Sequence, residues 1–146
     1  MARFSRTIHI AAPPERVFAF FTDPARLREL DPRIQTVAVD SQDGRPHAVH
    51  FVVLSAPGTA PISIDGRVAE YEPRRTMAVE SLASAAGPLI NLRCTCAASG
   101  TGTDLTCDLK LALRGPFGRL ADLLIRRQLE TSGNEAMERT KQALES

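Results

Sequence analysis

The sequence has no tryptophan, one tyrosine, three cysteines and, at Lys110 and Lys141, two lysines in 146 residues. Three cysteines cannot close a paired disulfide framework. Cys94, Cys96 and Cys107 also lack the CxxC spacing and the neighbouring histidine of a zinc site, so reduced thiols and no bound metal are expected. No charge of one sign dominates either. The 18 basic and 17 acidic side chains leave a net charge of +1, too weak a field to hold nucleic acid or an anionic membrane. The excess of arginine over lysine reads as genome composition rather than phosphate recognition. Long apolar runs are absent: the longest, Val17 to Phe21, is five residues, against the ~20 that span a bilayer. The opening Met-Ala-Arg-Phe-Ser-Arg-Thr has no apolar stretch of signal-peptide length, so a cytoplasmic protein without stable membrane insertion is expected. What remains is ordinary globular composition, 43% hydrophobic and 24% charged, at a length that fits one domain over residues 1–146.

Apolar Phe4, Ile8 and Ile10 share one parity while Ser5, Thr7 and His9 share the other, the alternation of a half-buried strand. Pro13-Pro14 ends it and opens a short helix whose buried face is Val17, Phe18 and Phe21. Asp23-Pro24, an N-cap carboxylate followed by proline, starts a second short helix with Leu27 and Leu30 on its apolar stripe. Six strands follow: Ile34 to Asp40, His47 to Ser55, Ile62 to Tyr71, Thr76 to Ala83, Ile90 to Ala98 and Thr103 to Leu113. Turn signals separate them, among them Asp43-Gly44, Pro73-Arg74 and Gly100-Thr101-Gly102. Beyond Gly115-Pro116, apolar residues recur every three or four positions to the end, which predicts one long amphipathic helix. Gly133 within it predicts a kink or a close packing contact.

A strand, two short helices, six antiparallel strands and a terminal helix form an α+β order in which a twisted seven-stranded sheet would curl around the last helix. Three stretches carry a resemblance that covers the whole chain: Ile8-His9-Ile10-Ala11-Ala12-Pro13-Pro14-Glu15-Arg16-Val17-Phe18-Ala19-Phe20-Phe21-Thr22-Asp23-Pro24, then Val68-Ala69-Glu70-Tyr71-Glu72-Pro73-Arg74-Arg75, and the terminal helix. The sequence resembles the START-like, Bet v 1-like superfamily of polyketide cyclases/dehydrases and lipid transport proteins. The resemblance implies a helix-grip fold enclosing an apolar cavity for lipids, sterols, polyketides or other hydrophobic small molecules. Members often carry a tryptophan just after the second short helix, whereas this chain has Leu30-Asp31 there.

The cavity, if present, would be lined by Phe21, Leu30, Phe51, Val53, Ile64, Val79, Leu92, Leu109, Phe117, Leu120, Leu124 and Met137, each of which a domain of this size could equally use as core. Six phenylalanines and one tyrosine make an aliphatic interior, suited to an acyl chain or isoprenoid. Loops at Pro57 to Pro61 and Ala85 to Leu89 would gate it. The expected function is binding or transfer of such a hydrophobic small molecule by a monomer or homodimer, with no cofactor. The rival is a cyclase or dehydratase, for which His50, Arg67 or Tyr71 would have to face the cavity; a third possibility is a module regulating another protein. Alternation from Ile62, Ile64 and Val68 leaves Asp65, Arg67 and Tyr71 on the opposite, solvated face. His50 lies in a strand apolar in both phases, so its face stays open. His9 shares the polar phase of its strand, and His47 beside Pro46 reads as a turn residue. A turn at Gly100-Thr101 would pair Cys107 with Cys94, and one at Thr101-Gly102 would pair it with Cys96.

Overall fold

The computed structural model describes residues 2–30, 34–53, 61–81, 89–112 and 118–146; for Val53, Ile62 and residues 118–125 it describes the backbone alone. Strand β1 (Ala2–Ile10) leads into helices α1 (Pro14–Thr22) and α2 (Pro24–Leu30). Strands β2 (Ile34–Gln42), β3 (Arg45–Val53), β4 (Ile62–Glu72), β5 (Thr76–Ser81), β6 (Leu89–Ser99) and β7 (Gly102–Ala112) follow, and α3 (Gly118–Glu145) closes the chain. The strands form one antiparallel sheet in the order β1-β7-β6-β5-β4-β3-β2. The first strand therefore closes against the last, and β1 and β2 are the two edges. This is the helix-grip fold that the family resemblance implies.

Local chemistry accounts for the turns and caps. Asp43 and Gly44 both take positive φ, 53° and 76°, as the tight turn between β2 and β3 requires for strands of right-handed twist. The Asp23 carboxylate accepts the Ala25 N–H at 3.0 Å, capping α2 as expected, with Pro24 supplying the preset φ of the first helical position. Ser99 pairs with Gly102, which leaves Gly100-Thr101 as the turn and sets the register of the β6–β7 hairpin.

That register assigns every strand residue to one of two faces. Ala2, Phe4, Ile8 and Ile10 of β1 lie on the concave side with Leu105, Cys107, Leu109 and Leu111 of β7. The apolar core gathers there: Phe4, Ile8 and Ile10 pack with Val17, Phe18 and Phe21 of α1, Cys94 and Cys96 of β6, Leu105 of β7, and Met137 and Leu144 of α3. Polar contacts also tie α3 down. Arg6 donates to Asn134 Oδ1 at 3.1 Å and Glu138 Oε1 at 2.9 Å, and Arg139 donates to the Leu30 carbonyl at 2.7 Å. Lys141 Nζ donates to the His9 carbonyl at 2.7 Å. The helix runs unbroken through Gly133; the expected alternative of close packing is the one realised, because the Phe4 ring lies against that glycine.

Candidate functional site

The concave face is built as rows of side chains running across the strands. One row is Val68, Val79, Leu92, Leu109 and Phe4, each opposite the next across β4, β5, β6, β7 and β1. The adjacent row is Tyr71, Met77, Cys94, Cys107 and Arg6. On the other half of the sheet, Val39 opposes Val49, and Val37, Phe51 and Ile64 oppose one another across β2, β3 and β4. Burial on this face is uneven. Phe4, Phe18, Phe21, Val49 and Cys94 are buried, whereas Val37, Phe51, Ile64, Val68, Val79, Leu92 and Leu109 are half-buried. An apolar row held at partial exposure forgoes part of the burial that would stabilise a closed core by roughly 25 cal/mol per Å².

Most of the predicted lining residues come together on this side. Phe51, Ile64, Val79, Leu92 and Leu109 lie on the concave face, Phe21 and Met137 enter the core from α1 and α3, and half-buried Leu30 ends α2. Val53 sits opposite Ile34 and Ile62 in the ladder, and Leu120 and Leu124 lie in the first turns of α3, with only their backbone described. Phe117 and all but the end residues Pro61 and Leu89 of the expected gating loops lie outside the described residues. Met77, Cys94, Cys107 and Val68 share the face though sequence reasoning did not assign them to the lining; they share a parity with Val79, Leu92, Leu109 and Ile64, and that was the available signal.

The three candidate catalytic groups do not converge. His50 opposes Asp65 across β3 and β4 on the convex face, and its Nδ1 hydrogen-bonds that carboxylate. Arg67, two residues along, pairs with Glu80, and Arg93 pairs with Glu70 at 3.3 Å. His9 hydrogen-bonds Asp104 at 3.0 Å on the same outer surface. Tyr71 departs from the expected alternation. The β4–β5 register shifts between Val68 and Glu70, so Ala69 is an extra residue, and the bulge turns Tyr71 to the concave side opposite Met77. There its ring packs on Phe18, centroid to centroid 5.8 Å and tilted by 53°.

The cysteines resolve to a single register, with Cys94 opposite Cys107 and their sulfurs 3.0 Å apart as free thiols. The Cys107 contact and burial push the Cys94 thiol well above its usual range, and burial pushes Cys96 up to about 12. Neither is a ready nucleophile. Among the described residues no cluster of three histidine, cysteine or carboxylate side chains is placed to hold a metal ion.

The sequence profile of the family described as polyketide cyclase/dehydrase and lipid transport matches residues 1–145. The chain belongs to that family. No curated protein matches it in sequence. Among solved structures, a START superfamily protein from Mycobacterium smegmatis superposes with a TM-score of 0.77 at 19% identity, covering 99% of each chain. TTHA0849 from Thermus thermophilus gives 0.78 at 18% identity, covering 97% of this chain and 96% of its own. The Zhui aromatase/cyclase from Streptomyces sp. R1128 gives 0.75 at 15% identity, covering 94% and 92%. At these identities the likeness is one of fold, and residues must supply the chemistry.

Proposed function

We propose that this family member binds or transfers a hydrophobic small molecule, a lipid, isoprenoid or polyketide-like compound, held between the concave face of the sheet and α3. The observation that carries the reading is the row of half-buried apolar side chains Val68, Val79, Leu92 and Leu109 with Phe51 and Ile64 beside it, on the face that α3 grips. Apolar burial would supply affinity and a few polar groups orientation. The test is the melting temperature across a panel of fatty acids, isoprenoids, sterols and aromatic polyketides, because a ligand that binds only the native state raises stability by mass action. Stabilisation that rises with concentration for one chemical class supports the reading. A flat response from protein shown by organic extraction to carry no ligand overturns it.

An enzyme that cyclises or dehydrates a bound polyketide-like substrate is the second reading. Tyr71, the one candidate acid or base of the three that reaches the concave face, favours it, as does the fold shared with an aromatase/cyclase. Product formation from a stabilising polyketide, lost in Tyr71→Phe, would separate it from binding alone.

A further inference from the structure

We infer that Tyr71 is the polar contact of the bound molecule, and that the ligand therefore carries a neutral oxygen, a ketone, ester carbonyl or hydroxyl, on an otherwise apolar body. The inference rests on the binding reading above and narrows its chemistry. Three observations carry it. The extra residue Ala69 turns Tyr71 out of the convex, ion-paired surface and onto the apolar face. Phe18 packs on its ring and Met77 lies opposite, so the ring is held in place and the hydroxyl loses little freedom on binding. Among the described residues that hydroxyl has no hydrogen-bond partner, while its row neighbours Met77, Cys94 and Cys107 offer only sulfur, a weak donor or acceptor. Tyr71 is half-buried, so a bound molecule that covers it must replace solvent at the hydroxyl, and a ligand oxygen does so.

Charge on the same face sets the ligand's class. Arg6, at the far end of the row, is already engaged by Glu138 at 2.9 Å and Asn134 at 3.1 Å, so its guanidinium is not free to pair with a carboxylate ligand. The other described residues of that row are uncharged. Among the described residues of that row a fatty acid anion would find no uncommitted counter-ion for its desolvated charge, whereas a ketone or alcohol would gain the Tyr71 hydrogen bond at no such cost.

The experiment uses four eleven-carbon probes, undecane, 2-undecanone, 2-undecanol and undecanoic acid, titrated calorimetrically into wild-type protein and Tyr71→Phe. Wild type is expected to bind the ketone and alcohol about five- to tenfold more tightly than the alkane, the worth of one neutral hydrogen bond. Tyr71→Phe is expected to bring both down to the alkane's affinity and to leave the alkane unchanged. Equal binding of ketone and alkane by wild type overturns the role of Tyr71. So does a variant that weakens all four alike, which would mark the ring as packing only. Tightest binding of the acid overturns the neutral-ligand assignment. Failure of all four to bind overturns the binding reading itself, and the inference falls with it.

Discussion

The ring of Phe4 occupies the space that a side chain at Gly133 would need: a Cβ there would lie 2.7 Å from Phe4 Cε1 and 2.8 Å from Cζ. Phe4 is 7% exposed and walled in by the core, so the ring has nowhere to swing. This contact is what lets α3 lie directly on β1. Helix propensity favours alanine over glycine by about 1 kcal/mol, and overpacking of a full core opposes it by about 1 to 3 kcal/mol. The clash should win. Gly133→Ala is expected to lower stability in urea melts by up to about 2 kcal/mol, the balance of those two effects. A stabilised variant would show that the ring yields.

The convex face makes the opposite case. His50 and Asp65 are 42% and 68% exposed, and Arg67 and Glu80 are 63% and 35% exposed. Exposed ion pairs contribute roughly 0 to 1 kcal/mol, and their position behind the sheet removes them from any ligand on its concave side. His50→Ala and Arg67→Ala are expected to change stability by less than about 1 kcal/mol and to leave ligand-induced shifts in melting temperature intact. Loss of those shifts in either variant would move the binding site to the convex face.

The architecture was legible because its signals are local. Alternation in β1 and β7, the Asp23-Pro24 start and the Asp43-Gly44 turn each act over a few residues, and all appear where the sequence places them. The site was legible only in part, because a face assignment needs a cross-strand partner. His50 sits in a strand apolar in both phases, and only the pairing of Val49 with Gly66 and Phe51 with Ile64 sends it outward. Tyr71 was misplaced for a different reason. Counting by twos from Val68 puts it outside, and the one-residue bulge at Ala69 that reverses it leaves no mark in composition or turn chemistry. Arg6 shows the converse: it shares the parity of Phe4 and Ile8, a signal the sequence reading left unused, and lies inside, where it meets α3.

Buried thiols predict an alkaline limit to stability. Burial raises Cys96 from its ordinary 9.0 to about 12, so the native state keeps the proton that the unfolded chain releases first. The contribution is fully present below about pH 9 and is lost as pH rises from there towards about 12. The expected loss is on the order of a few kcal/mol. Cys96→Ala should shrink the difference in stability between pH 8.5 and pH 11, measured by urea unfolding under reducing conditions. Identical slopes for the two proteins would show that Cys96 does not carry the effect.

The end of α3 sets an acid limit. Glu145 accepts the Ala11 N–H at 2.9 Å and lies 3.5 Å from Lys141, and these contacts, the backbone hydrogen bond foremost, hold its carboxyl below the ordinary 4.5. A depressed carboxyl stabilises the fold above its unfolded value, and that stabilisation disappears as pH falls through the native one. Protonation would weaken the hold of the last turn of α3 on the chain just after β1, next to where Lys141 holds the His9 carbonyl. Glu145→Gln keeps the size and an acceptor oxygen but cannot titrate. It should therefore be less stable than wild type at pH 7 and converge with it as pH falls below the ordinary 4.5 and through the lowered native value, as read from thermal melts across that range. If the gap between the two proteins stays constant with pH, the Glu145 charge plays no part in holding the helix.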